Sequence, residues 1–298
     1  MNTSPRSPKG LINGLLRRIE LVPASDRLIL RALFFVIIGS LIATLFIANR
    51  DNTSLVATRG GVIKEAILGT PRFVNPALAI TRADQDITAL VYSGLMKIND
   101  EGDLVPDLAE NVTVSEDGLT YNIIVRKDAR FHDGKPVTAK DVVFTIGLIQ
   151  NPDLKSPLRG NWADVVVEEI GEYEINVVIE EAYAPFIENF TLGIMPAHLW
   201  SNLPIEQLPF SQLNTEPIGS GSFFIKTANR DATGLISSYA LSAFRENPET
   251  AKITAFELKF YPNESDILEA LKNGEADSSA YLSTENLSLV DSDNFRII

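Results

Sequence analysis

Residues 131–146, FHDGKPVTAKDVVFTI, set a histidine beside an aspartate, two lysines after them and a second aspartate before an apolar run. Histidine titrates near neutrality and a neighbouring carboxylate can orient it, so His132-Asp133 is the first candidate for general acid–base work. The nucleophile for such work is missing. No G-x-S-x-G elbow occurs, the chain has no cysteine, and sequence neighbours on a turn point apart rather than converge. A turn explains the stretch better: Asp133-Gly134 is a turn dipeptide, Thr138 is a good helix N-cap, and a carboxylate at Asp141 suits the first turn of a helix. His132 is then expected to make a hydrogen bond that ties the turn down.

The other chemical candidates meet similar objections. Gly219, Ser220, Gly221 and Ser222, in EPIGSGSFFI, invite a phosphate-loop reading, but the G-x-x-x-x-G-K-[ST] form is absent and a strand is expected next instead of a helix. A tight backbone crossing, where no side chain fits, accounts for these glycines. Glu168-Glu169 and Glu180-Glu181 lie at hairpin strand ends, without the further ligands or the spacing of a calcium site or a glycosidase pair. With only two histidines and no cysteine, no metal ligand set, cofactor site or catalytic residue is expected. Trp162, Trp200, Tyr92, Phe73 and Phe186 are assigned to the core.

The elements that position these residues follow from period and punctuation. Residues 62–68, VIKEAIL, read as a buried strand, followed by an irregular proline-bearing loop, a helix over 83–96, and a hairpin whose turn is SEDG. The helix after Thr138 stops at Asn151-Pro152, and a second hairpin flanks Gly171. Short helices are expected over 185–192 and 196–202, then a proline-bounded connection over 204–217. GSFFIK, ISSYALSAF and ITAFELKFY read as strands, SDILEALK as a helix with Gly274 past its end, ADSSAYL as a short strand, and 284–289 as a short helix. The pattern is mixed α/β with many hairpins. The final DNFRII reads as an unpartnered apolar strand, as if the domain continued.

At 298 residues and 45% hydrophobic, the chain can bury a sizeable core. Its net charge of −13 is uneven: residues 1–31 carry Arg6, Lys9, Arg17, Arg18, Arg27 and Arg31 against Glu20 and Asp26, a net +4, leaving −17 for the rest. An acidic body of this kind repels nucleic acid. Residues 32–48, ALFFVIIGSLIATLFIA, hold no charge. With residues 28–30, this run reads as a single transmembrane anchor, and the basic excess before it predicts a cytoplasmic N-terminus with the body outside. A cleaved signal peptide is the alternative. The expected organisation is a basic segment over 1–27, an anchor over 28–48, a polar linker over 49–59 and a folded domain over 60–298.

Six blocks then carry a resemblance: GGVIKEAILGTPRFVNPAL, DITALVYSGLM, the run LVPDLAENVTVSEDGLTYNIIVRKDARFHDGKPVTAKDVVFTI, YAPFIENFTLGIMPAHLW, EPIGSGSFFI and ILEALKNGEAD. In this order they resemble the extracytoplasmic solute-binding proteins of family 5, which serve peptide- and nickel-importing ABC transporters. The resemblance implies a periplasmic-binding-protein-like, type II venus-flytrap fold. Residues 60–95 and 215–298 would belong to its first lobe and 96–214 to an inserted subdomain, the second lobe lying beyond the sequence. It implies an oligopeptide or dipeptide ligand, permease partners of an ABC importer, and a cell-membrane location with an extracytoplasmic binding domain. Ligand-facing candidates carried over are Asn75, Ile80, Thr81, Arg82, and the crossing Gly219, Ser220, Gly221 and Ser222. In the crossing, Ser222-Phe223 stands where the family usually has proline-tyrosine, and a helix stands where it commonly has a lipidated cysteine. A hydrolase using the interlobe cleft, or a binder of a nickel complex or oligosaccharide, is the alternative.

Overall fold

The structure, a computed structural model, describes residues 23–52, 60–244, 253–280, 282–288 and 295. The chain divides into two units, Met1–Thr58 and Arg59–Ile298.

In the first unit the apolar run forms a helix, α1 (Ala24–Asn52), whose bounds extend beyond the expected 28–48 on both sides. Its described apolar side chains are exposed; Phe35 and Leu41 are 71% and 62% accessible. Among the described residues no helix is long and apolar enough to cross a membrane. The side chains described in the apolar run, residues 32–44, cover only ~20 Å at ~1.5 Å per residue, against ~30 Å of hydrocarbon. The side chains of 45–48 and most of the expected linker lie outside the described residues.

The second unit runs β1 (Val62–Leu68), α2 (Arg82–Val91), β2 (Met96–Ile98), β3 (Leu104–Pro106), β4 (Ala109–Val114), β5 (Thr120–Val125), α3 (Ala139–Gln150), α4 (Arg159–Trp162), β6 (Val166–Gly171), β7 (Glu174–Val178), α5 (Ala197–Trp200), β8 (Phe223–Arg230), β9 (Ile236–Ala243), β10 (Ala255–Tyr261), α6 (Glu264–Lys272) and α7 (Thr284–Leu287). One sheet has the order β1-β10-β9-β8 and uses only strands from the two ends of the unit. Its β1 lies parallel to β10, pairing Val62 with Ala255 and Leu68 with Tyr261. Parallel neighbours need a long connection, and everything from residue 69 to 254 is that connection. Within it, β4-β5-β7-β6 form a second, antiparallel sheet from the two expected hairpins.

Alternation makes the second sheet one-faced. Along β5, Tyr121, Ile123 and Val125 are buried while their neighbours are partly exposed, and Ile175 and Val177 repeat this on β7. Against that face pack Trp162, Phe186 and Phe190, with ring centroids 5.3 Å apart for Tyr121–Phe190 and 5.6 Å for Trp162–Phe186. Burying each such ring stabilises the unit by roughly 1.5–3 kcal/mol. The aromatic residues assigned to the core belong to it: Trp162, Trp200, Tyr92 and Phe186 are buried in one hydrophobic cluster, and Phe73 packs partly buried against that cluster.

Helix α3 starts as Thr138 predicts. The Thr138 N–H and Oγ1–H donate to Asp141 Oδ2 at 2.9 and 2.8 Å, while Asp141 Oδ1 accepts from the Ala197 N–H at 2.9 Å. The buried carboxylate therefore also fastens α3 to the start of α5, a tertiary role that helix-dipole reasoning does not supply.

Two expectations are corrected. Helix α2 ends at Val91 rather than at 96, because Tyr92 is extended and Gly94 passes so close to residues 190–191 that a Cβ there would lie 2.7 Å from the Thr191 backbone. ADSSAYL forms no strand: it contributes one isolated parallel bridge, Ser278 to Glu65. The short helix expected over 185–192 is present as a 3-10 helix, Ala184–Thr191. The reading of DNFRII falls outside the described residues except at Phe295.

Candidate functional site

The loop after β1 is held by two buried polar residues. Asp84, in the first turn of α2, is fully buried. Its Oδ1 accepts from the Arg72 and Phe73 N–H groups at 2.7 and 2.8 Å; its Oδ2 accepts from the Thr81 N–H and Oγ1–H at 3.2 and 2.7 Å. Four donors to one carboxylate compensate the loss of water around a buried charge and fix the two ends of the loop to each other. Asn75 does the same from inside: its Oδ1 accepts from the Ala77 N–H at 2.9 Å, and its Nδ2 donates to Asn214 Oδ1 at 3.0 Å. Asn214 in turn donates to the Leu208 carbonyl at 2.7 Å and accepts from the Val74 N–H at 2.8 Å through its own carbonyl. The proline-bounded connection is thereby locked to the loop.

This loop exposes Ile80, 66% accessible, and Arg82 at the head of α2. The Arg82 charge pulls the Asp86 carboxyl down, but burial outweighs it and leaves that carboxyl above its usual range. Glu65 on β1 is likewise raised, by burial first and then by the negative charge of Asp86. Arg82, Asp86 and Glu65 thus act on one another in a chain of charges, and the two carboxylates take protons more readily than free ones.

The crossing segment lies at the other end of α2. A Cβ on Gly219 would fall 2.0 Å from the Val91 carbonyl oxygen, and one on Gly221 2.6 Å from that of Leu90. The Gly221 N–H donates to the Val91 carbonyl at 2.8 Å, occupying a C-terminal helix acceptor. The expected backbone crossing is thus present. Gly219, Ser220 and Gly221 are buried, and Ser222 is partly so. Ser220 Oγ has no hydrogen-bond partner among the described residues.

The turn over 131–135 grips this crossing through His132. Its N–H donates to the Gly219 carbonyl at 2.7 Å, its Nδ1 lies 3.2 Å from the Gly219 N–H, and its Nε2 lies 3.0 Å from the Gly221 carbonyl oxygen. A backbone N–H only donates and a carbonyl only accepts, so Nδ1 is the bare nitrogen and Nε2 carries the proton. Burial between the Phe244 and Phe224 rings pushes the imidazole down to about 4, against the smaller upward pulls of the Gly221 hydrogen bond and the Asp133 charge. His132 is neutral at pH 7 and both its nitrogens are committed to backbone, so it is no general base.

Asp133 faces the opposite way, 2.7 Å from His198 Nε2. Burial pushes its carboxyl up, but the His198 hydrogen bond, the Lys135 N–H and the nearby Lys135 charge hold it below the ordinary carboxylate range. The sequence neighbours His132 and Asp133 therefore serve two different partners.

Of the ligand-facing candidates, Asn75 and Thr81 are engaged in holding the loop, while Ile80 and Arg82 are presented to solvent. Residues 219–222 do not join them, because α2, ~15 Å long, separates Thr81 from Val91. Asp84, Asn214 and Val91 were not among the candidates. The T-x-x-D spacing of Thr81–Asp84, repeated in Thr138–Asp141, is the signal that marks the first. Among the described residues no group of three or more histidine, aspartate or glutamate side chains could hold a metal ion.

The family model "Bacterial extracellular solute-binding proteins, family 5 Middle" matches residues 103–296. The oligopeptide-binding protein AppA of Bacillus subtilis is 33% identical over 173 residues, covering 56% of this chain and 32% of that protein. Its structure in complex with a nonapeptide superposes with a TM-score of 0.70 at 27% identity, covering 78% of this chain and 46% of the other. NikZ from Campylobacter jejuni, in complex with Ni(L-His), gives a TM-score of 0.68 at 26% identity, covering 76% and 44%. The chain thus spans about a third of the length of the curated relative and under half of the solved ones.

Two glycine substitutions test the crossing. Gly219→Ala is expected to lower the stability of the chain by ~3 kcal/mol or more, because the added methyl meets backbone rather than a movable side chain. Gly134→Ala, at φ +83° in open space, is expected to lose only about 1 kcal/mol. Urea unfolding of both variants reads the difference, and equal losses would contradict the close approach.

Proposed function

As the chain belongs to the bacterial extracellular solute-binding proteins of family 5, we propose that it captures short peptides outside the cytoplasm for delivery to an ABC importer, with no chemistry of its own. The observation that carries this reading is the pinned loop beside β1: Asp84 and Asn75 fix its backbone while Ile80 and Arg82 stay exposed. A preformed loop binds an extended peptide without first being ordered, and so keeps more of the contact energy as affinity. In this reading Ile80 gives an apolar contact, Arg82 meets a carboxylate, and Thr81 and Asn75 support them from behind. Gly219, Ser220, Gly221 and Ser222 act in the path between lobes, with Ser220 Oγ the polar atom still open to a partner. The ligand would be enclosed against a second lobe of the venus-flytrap fold, with 96–214 as the inserted subdomain. The complex of NikZ with Ni(L-His) makes a metal chelate the second reading.

The apolar run and the basic residues before it support a further part of the proposal, that α1 is a single-pass anchor with a cytoplasmic N-terminus.

Isothermal titration of the full-length natural protein against di- to nonapeptides and against Ni(L-His) separates the readings. Saturable heat with a peptide pool and none with the chelate is expected; the reverse would replace the peptide with the metal complex, and heat from neither would end both. Arg82→Ala is expected to weaken peptide affinity about 10-fold, the effect of one charge-assisted bond. For the anchor, alkaline carbonate washing of membranes should leave the protein in the pellet, and release into the supernatant would refute it.

A further inference from the structure

The junction between the 131–135 turn and the crossing is made by a titratable ring between backbone groups of fixed polarity. Above, Nδ1 accepts from Gly219 and Nε2 donates to Gly221. This pattern is satisfied by one tautomer of one charge state. Protonation of Nδ1 would put two N–H groups face to face across 3.2 Å and turn an acceptor into a second donor with nothing to receive it.

We propose that His132 is an acid-opened latch, closed on the Gly219–Gly221 backbone while its imidazole is neutral and released when the ring is protonated. The turn would then part from the crossing segment, which in turn lies on the end of α2 through the Gly221–Val91 bond.

The surroundings favour the closed, neutral state. From β8 the ring meets Phe224, centroids 6.0 Å apart, and from the end of β9 it meets Phe244 at 4.9 Å; neither offers an acceptor to a new N–H. The crossing contributes only backbone. Among the described residues the charge that bears on the ring is that of Asp133, and this carboxylate is already shared between His198 at 2.7 Å and the Lys135 N–H at 3.1 Å. It draws the ring toward protonation more weakly than burial opposes it.

The sign follows from the depressed value. A released His132 takes its proton near 6.5, the latched one only near 4. Closure is fully favoured above about pH 6.5, weakens as pH falls through that window, and changes no further below about pH 4. Opening therefore becomes up to ~10-fold easier per pH unit across the window, roughly 300-fold in all.

Hydrogen exchange of the intact chain tests this, followed on the peptide carrying residues 219–222 and corrected for the intrinsic pH dependence of exchange. Protection of the Gly219 amide is expected to fall steeply between pH 6.5 and 4 while that of Ile123 in β5 stays level. In His132→Gln, whose amide cannot titrate, the Gly219 profile should be flat. Flat protection in the native chain, or the same fall in His132→Gln, would overturn the latch. Should that variant fail to fold, nitrogen NMR of the native imidazole decides: Nδ1 bare at neutral pH and titrating together with the loss of Gly219 protection is expected. A bare Nε2, or a midpoint near that of a free histidine, would refute the proposal.

Discussion

Everything in the second unit hangs on one close contact, the passage of the Gly219–Gly221 backbone over the last carbonyls of α2. A Cβ at Gly219 would come within 2.0 Å of the Val91 oxygen, so the contact exists only because glycine stands there. The first benefit is electrostatic: Gly221 supplies a donor to a helix C-terminus that would otherwise end in unsatisfied oxygens. The second is topological. The chain returns from its inserted sheet to the sheet of β1 at this point, and Phe223 of β8 begins two residues after Gly221.

Around this contact the fold uses buried polar groups as fasteners between segments distant in sequence. Asp84 joins the loop after β1 to α2, Asn75 joins it to Asn214, and Asp141 joins α3 to α5. His132 joins the 131–135 turn to the crossing 87 residues away. Each such group is bonded through both of its polar side-chain atoms, which is what makes it tolerable in a low-dielectric interior. The pairing also gives each fastener a direction, so the loop that carries Ile80 and Arg82 has one arrangement rather than several.

Much of this was legible in the sequence. The two hairpins, the Thr138 cap and the three strands β8 to β10 follow from alternation and punctuation, which are local signals. The glycines at 219 and 221 announced a close approach, and His132 announced a tie, though neither named its partner. What was not legible is long-range. The helix through 91 reads as continuing to 96 because Leu95 keeps the apolar period, and only the packing of Gly94 on residues 190–191 stops it. ADSSAYL has strand composition but finds only one bridge to β1. In the site, the bonds of Asp84 to Arg72 and Phe73 depend on a loop that no pattern encodes.

Rigid fasteners behind and an exposed apolar–cationic pair in front are what a preorganised binding wall requires. The loop over 76–82 is the center of that account. Hydrogen exchange of the full-length natural protein with and without a saturating peptide pool measures it directly. The account predicts new protection within residues 76–82, most of all at Ile80, with the outer strands β4 and β6 of the inserted sheet unchanged. Protection confined to those strands, with 76–82 unaffected by bound peptide, would contradict it.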